Sequence, residues 1–411
     1  MLEGETPELI IKKGANDLLF NEMTSSIHKF PNPNLRWEKT ASFNTTLDFV
    51  LLKNKIRGSI SYYYRKTTDA FLQKTVSPIN GVDQYSVNKG TLTNTGYELS
   101  LNFTPIDRFT NISAGGGKGG FSWRIDPQFG SIVNQLVNKL KKKNHTLHDE
   151  IKFEDYLKGN IEVTGRPLNS FFSYKFKGLN PEDGRPMFYN IDEKENKERF
   201  KDMTKEDIFL SVMEFSGTRT PFLQGGLSNT FQYNNLVLSF NLTYSIGSKV
   251  RLLTMYPDVA SDYATIAPTP EKNVRKEFNH RWRKPGDEKI TNIPGVISAD
   301  EFRKTLSPWW FQNQEIPEFA DNIWQMYDNS DLRVASGDYL KLQSLSLRYI
   351  IPQSLCNKLF LKSAYVSLSG SNLFTICAKA LRGQDPSQSG SSSSINLSVR
   401  PMYNLRVNLT F

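Results

Sequence analysis

Cysteine is nearly missing from this 411-residue chain: Cys356 and Cys377 are the whole supply. They show no metal-type spacing. Histidine is also scarce, at positions 28, 145, 148 and 280. His145 and His148 lie three apart without a third ligand nearby, so no metal centre is read. No run of about 18 apolar residues exists, which excludes a membrane-spanning helix. The opening "MLEGETPELIIKKG" lacks the basic start and apolar stretch of a signal peptide. Hydrophobic residues reach only 38%, low for a globular core of this size. A low average does not exclude a membrane barrel, whose strands are apolar on one face only.

Catalytic patterns are missing too. Glu154-Asp155 and Glu182-Asp183 are paired acids, but both lie in loop-like stretches. "NPEDGRP" reads as a turn, with Pro, Asp and Gly supplying its geometry. "SAGGGKGG" (113–120) lacks the Gly-Lys-Ser/Thr ending of a phosphate loop and reads as a bend or interruption of a strand. No enzyme and no cofactor are expected. The net charge of +9 invites a nucleic-acid reading, but the 51 Lys and Arg are spread among 42 acids. The one dense run, Lys139 with Lys141, Lys142 and Lys143, reads as a solvated loop. No nucleic-acid motif accompanies it, so no nucleic-acid partner is expected.

What the chain does have is aromatic residues, 27 Phe and 17 Tyr, and long alternation. In "ASFNTTLDF", Phe43, Thr45, Leu47 and Phe49 oppose Ser42, Asn44, Thr46 and Asp48. "IRGSISYYYR", "GYELSLNF", "LVLSFNLTYSI", "LSLRYI" and "AYVSLSG" alternate likewise. In the closing "YNLRVNLTF", Tyr403, Leu405, Val407, Leu409 and Phe411 share one face, opposite Asn404, Arg406, Asn408 and Thr410. Period two over such lengths is a strand signal. Short links are read at Lys53-Asn54, 105–108, Asn234-Asn235 and 352–358. Long links are read over 66–91, 126–167, 247–336 and 376–397. "FFSYKF" (171–176) and "PMFYN" (186–190) suggest an added hairpin.

Alternating short and long links suit an outer-membrane barrel with tight periplasmic turns and long outer loops. A soluble β-sandwich would alternate as well, but its strands usually run about five or six residues. The fold expected is therefore all-β: an antiparallel transmembrane β-barrel of roughly 9–12 strands with long extracellular loops. Residues 1–34 are read as a loop or partial strand leading in, and 35–411 as the barrel part. In a barrel the last strand pairs with the first, so a chain ending on an alternating strand needs no loose tail. Arg57, Arg65, Glu98 and Arg348 then face the lumen, where interstrand salt bridges or contact with whatever fills the barrel are their expected role. Cys356 and Cys377 are placed at opposite ends of a strand, too far apart for a disulfide.

Several stretches, in one order, resemble the barrel of SusC/RagA-type TonB-dependent transporters. They are "NPNLRWEKTASFNTTLDFVLLKNKIRGSISYYYRKTTD", "GTLTNTGYELSLNFTPI", "GRPLNSFFSYKFKGLNPEDGRPMFYN", "GGLSNTFQYNNLVLSFNLTYSIGSKV", "RWRKPGDE", "ASGDYLKLQSLSLRYIIP" and "SGSNLFT". The resemblance covers most of residues 30–411. It implies nutrient import across the outer membrane of a Gram-negative bacterium through a barrel of about 22 strands. It also implies an N-terminal plug pulled by the TonB system and a SusD-like surface lipoprotein that binds glycans or peptides. The terminal Tyr403, Leu405, Val407, Leu409 and Phe411 resemble the signal read by the outer-membrane insertion machinery. No plug, TonB-box segment or signal peptide is read here. The expectation is the C-terminal part of a longer transporter, or the product of a gene whose Met1 falls inside the original barrel. Trp309, Trp310 and Phe311 are candidates to stack on a sugar, to pack the loop on itself, or to meet the lipoprotein lid. The alternative reading from another class is a soluble secreted glycan-binding β-protein, a lectin or adhesin.

Overall fold

The computed structural model describes residues 10–16, 23–29, 36–75, 84–108, 110–111, 118–139, 163–190, 199, 203, 205–255, 275–295, 323–388 and 399–411. Its main feature is one sheet of nine strands, each antiparallel to its neighbours. We label them β1 (Lys39–Leu51), β2 (Ile56–Thr75), β3 (Gln84–Asp107), β4 (Phe121–Lys139), β5 (Leu223–Tyr233), β6 (Leu236–Ile246), β7 (Tyr339–Ile350), β8 (Ser363–Cys377) and β9 (Met402–Thr410). Spatial order follows sequence order. Chain neighbours pair directly, as expected of an up-and-down barrel wall.

The alternation becomes two continuous faces. Leu47 pairs Ile60, Ile60 pairs Leu99 and Leu99 pairs Phe129. Farther round, Leu238 pairs Leu347, Leu347 pairs Leu368 and Leu368 pairs Leu405. The apolar face is turned outward: Leu47 is 63% exposed and Leu405 71%. On the opposite face Ser, Thr, Asn and Gln meet in rows, such as Thr46 with Ser61 at 2.9 Å and Asn241 with Ser344 at 2.8 Å. A soluble sheet would place these faces the other way round. Aromatic rings band the apolar face at both ends. Phe43, Tyr62 and Tyr97 cluster near one end, and Trp123 stacks on Phe231 at 5.5 Å near the other. Strand β5 spans the two bands; at about 3.3 Å per residue and a tilt near 40° it covers about 25 Å, the height of a barrel's apolar belt.

Several boundaries differ from the sequence reading. Much of 66–91 is strand, because β2 and β3 continue to Thr75 and from Gln84, past a bulge at Thr67–Ala70. The stretch 126–139, read as the start of a long link, belongs to β4. Asp126, Pro127 and Gly130 look like turn residues, yet Pro127 sits mid-strand opposite Leu227. Proline removes one ladder donor. On its β3 side the pairing lapses between Ser100–Gln128 and Phe103–Ile125, and an Asn102–Asp126 side-chain hydrogen bond bridges the gap. The link read at 105–108 lies farther on, since Pro105–Asp107 still belong to β3 and β4 begins only at Phe121. Within it, Thr110–Asn111 pairs Lys118–Gly119, which places the end of the glycine-rich run in a small hairpin. "FFSYKF" and "PMFYN" meet as a hairpin only in part, through Lys175–Phe176 and Phe188–Tyr189. Ser170–Tyr174 pairs Met213–Thr218, and Phe176–Leu179 pairs Pro186–Phe188. In the leading segment, Ile10–Asn16 and Met23–Lys29 form a two-stranded ladder of their own.

The expectation that the last strand pairs with the first is not met: β1 and β9 are the two edges of an open sheet. The reason is topological. Eight antiparallel steps separate them, so they run in the same direction and cannot meet antiparallel.

The links β1–β2, β3–β4, β5–β6 and β7–β8 lie at one end of the sheet. The long links lie at the other, where 163–190, 205–222, 247–255, 275–295, 323–338 and 378–388 form a loop layer. This layer has an ordinary interior. Phe171, Tyr174, Phe209, Met326 and Tyr327 are fully or almost fully buried.

Candidate functional site

The loop layer brings together charged side chains that are far apart in sequence. Lys249–Arg251 pairs Val334–Ser336 as a short ladder leaving the sheet. Three short 3-10 helices join them: Lys276–His280, Asp331–Arg333, which ends on Arg333 itself, and Lys379–Leu381. So short a helix suffices because each carries a buried residue: Phe278, Arg333 and Leu381.

Glu277 is the hub, 5% exposed. Arg275 Nε donates to its carboxylate at 2.7 Å, and Arg333 Nη1 approaches at 3.4 Å. Arg382 Nε lies 3.6 Å away, from a link 105 residues later in the chain. Burial alone would raise the Glu277 pKa, but Arg333, Arg275 and Arg382 together hold it below the usual carboxylate range. Arg333 Nη2 also donates to the Leu253 carbonyl at 2.5 Å. Asp328 accepts from the Met255 amide at 2.8 Å and lies 3.9 Å from Arg333 Nε. Arg251 donates to the Phe172 carbonyl and the Ser173 hydroxyl, both at 3.0 Å, and burial lowers its pKa. Burial also pushes the Tyr327 hydroxyl up from its ordinary value. A second buried pair, Lys341 to Asp385 at 3.1 Å, fastens 378–388 to β7.

A cleft of about 420 Å³ opens over Glu277, lined by Leu253, Thr254, Arg275, Lys276, Glu277 and Arg382. Five cations (Arg251, Arg275, Lys276, Arg333, Arg382) stand around two carboxylates (Glu277, Asp328). The site is arranged for binding negative charge. Among the described residues it has no nucleophile paired with a base.

Trp309, Trp310 and Phe311 lie outside the described residues, as do His145 and His148. Tyr403, Leu405, Val407 and Leu409 share the exposed apolar face of β9, and Phe411 follows it, 75% exposed. Arg57, Arg65, Glu98 and Arg348 occupy the polar face, yet among the described residues none forms the expected interstrand ion pair. Arg348 instead lies over the Tyr365 ring at 4.8 Å. "NPEDGRP" is the turn it was read to be, closed by Gly184 N to Asn180 O at 2.8 Å. "RWRKPGDE" packs on it: a Cβ at Gly184, where φ is +70°, would strike the Trp282 indole. Cys356 and Cys377 lie just before the start and at the far end of β8, respectively. The charged hub itself escaped the sequence reading. Arg275, Glu277, Arg333 and Arg382 belong to long links without periodicity, and only the fold brings them together.

The comparisons agree with this geometry. Residues 15–180 match the family model described as "TonB dependent receptor-like, beta-barrel". A TonB-dependent receptor of Formosa agariphila is 24% identical over 352 residues, covering 84% of this chain and 30% of that protein. The TonB-dependent receptor SusC of Bacteroides thetaiotaomicron is 28% identical over 243 residues, covering 57% of this chain and 22% of that one. The RagAB peptide importer in its open-open state superposes with a TM-score of 0.67 at 21% identity, over 98% of this chain and 38% of that one. The chain thus spans from 22% to 38% of the length of these proteins. Sequence similarity that includes the first strands, and a shared fold over nearly the whole chain, make it similar to the TonB-dependent receptor β-barrels of SusC/RagA type.

Proposed function

We propose that these nine strands form an arc of an outer-membrane barrel that imports nutrients, either glycans and oligosaccharides or peptides. The observation that carries the reading is the inverted sheet. Its apolar face is exposed from β1 to β9 and banded by aromatic rings, while its polar face lines the other side. Soluble monomers rarely expose an apolar patch above a few hundred Å², which disfavours a secreted lectin or adhesin.

The edges define what must complete the arc. In a bilayer each unpaired backbone group costs several kcal/mol, so β1 and β9 need partners. Because both run in the same direction, an antiparallel closure takes an odd number of further strands, thirteen in a barrel of about 22. Two copies of this arc inserted in the same orientation cannot close antiparallel. In the working transporter a plug fills the barrel and couples it to TonB and the proton gradient. A SusD-like lipoprotein covers the end that carries the loop layer. Tyr403, Leu405, Val407, Leu409 and Phe411 serve as the insertion signal, and Trp309, Trp310 and Phe311 contact the solute or the lid.

The test is fractionation of the source cells with an antibody against the β9 segment. The protein is expected to stay in outer membranes washed with urea, and to bring down a lipoprotein after detergent extraction. Recovery in the soluble fraction would refute the membrane reading.

A further inference from the structure

We propose that the cleft over Glu277 binds an organic carboxylate on the transported solute. This rests on the import reading and narrows its substrate class. The argument begins with charge. Glu277 is already met by three guanidinium groups, and Asp328 shares one of them. Holding one buried carboxylate in place does not need Lys276 as well, nor Arg382 from a distant link.

Geometry adds direction. Arg275 and Arg382 turn their Nε atoms toward Glu277. Among the described residues, their Nη groups and the Lys276 ammonium meet no acceptor. A guanidinium anchored at Nε keeps a second edge free, and that edge can bind a carboxylate through two parallel hydrogen bonds. Glu277 thus acts as a fixed counter-charge that aims both arginines. Arg333, 5% exposed at its side chain, is spent inside and supplies only background potential.

The cleft walls add chemistry. Leu253, Thr254, Arg275, Lys276, Glu277 and Arg382 line it, and the surface they present to it is almost wholly carbon. An apolar wall with cations at the rim suits a molecule with a carbon face and a carboxylate. It does not suit a small, strongly hydrated inorganic ion. A cleft of 420 Å³ lies in the roughly 300–1,000 Å³ range of small-ligand pockets. Two nutrient classes carry such a group: acidic oligosaccharides, on their uronic acid units, and peptides, at their C-terminus.

The test uses the protein extracted in detergent from the outer membranes of its own cells. The probes are a galacturonic acid hexamer against a neutral hexose hexamer, and a pentapeptide acid against its C-terminal amide. One acid is expected to bind about tenfold more tightly than its neutral counterpart, the scale of one charge-assisted contact. The pair that shows the margin identifies the source. Lys276→Gln should shrink the margin, and Lys276→Gln with Arg382→Gln should abolish it. Lys276 is exposed and bonds no described residue, so its variant remains informative if the double variant does not fold. The proposal is overturned by equal binding of acid and neutral probes, by no binding of either acid, or by a margin that survives in Lys276→Gln. It is also overturned if the variants release a co-purifying lipoprotein while acid binding holds. Retention in washed membranes tests the import reading separately, and neither substitution bears on it.

Discussion

The sheet and the loop layer solve folding for two different solvents. In the sheet, Leu47, Leu368 and Leu405 point outward and the polar residues face in. In the loop layer, Phe171, Phe209 and Tyr327 are buried as in any water-soluble core. The hydrogen bonding differs to match. Sheet backbone groups pair strand to strand, which suits a medium without water. The loop layer relies on turns and side-chain acceptors, such as Asp328 on the Met255 amide and Asp331 on the Phe176 amide. Burial therefore has opposite meanings within 411 residues, and one substitution rule cannot serve both regions.

The largest effect is expected where the loop layer is most like a soluble core. Phe171 is fully buried, flanked by the guanidinium groups of Arg219 and Arg251. Phe171→Ala should cost the layer about 3–5 kcal/mol through lost transfer energy and the cavity left behind. Limited proteolysis should then cut the long links faster, while the sheet keeps its resistance to unfolding in detergent. Equal loss in both regions would mean that they fold as one unit.

The reciprocal experiment charges the lipid face. Leu345 lies mid-strand in β7, paired with Phe240 and Gly370 on the apolar side. Leu345→Arg should cost about 2–4 kcal/mol at the bilayer midplane. Ser346→Arg, one residue on and on the polar side, should cost far less. Folding titrations into lipid vesicles measure both. Equal costs would contradict the assignment of faces.

The sheet was legible because β structure in a bilayer imposes period two, and β1, β6 and β9 keep it without a break. Where the period slips, legibility failed. Gln343 is an extra residue between Leu342 and Ser344, so the apolar set passes from Leu340 and Leu342 to Leu345 and Leu347. Pro127 hid the middle of β4. The loop layer was hardly legible, because a core assembled from single turns has no period. Glu277 and Arg382 meet only after β7 and β8 have brought the two long links to the same end of the sheet.

Acid should separate the regions more gently. Glu277 and Asp385 are loop-layer carboxylates whose folded pKa lies below the ordinary value. For Asp385 burial alone would raise it, but hydrogen bonds from Ser387 and Lys341 outweigh that. A depressed carboxylate pKa stabilises the fold fully above the unfolded value, about 3.9 for Asp and 4.3 for Glu. That contribution fades as pH falls through the folded value. Near neutral pH the layer should therefore be insensitive to small changes, and below about pH 4 it should loosen. Protonated Glu277 would leave Arg333 with the weaker hold of Asp328 alone, and protonated Asp385 would free 378–388 from Lys341. The backbone ladders of the sheet do not titrate. Near-ultraviolet dichroism, which reads the packed aromatic rings of the loop layer, should decline in acid while the far-ultraviolet strand signal persists. A joint decline would show that the loop layer holds the sheet together, and an unchanged near-ultraviolet signal would show that neither carboxylate supports it.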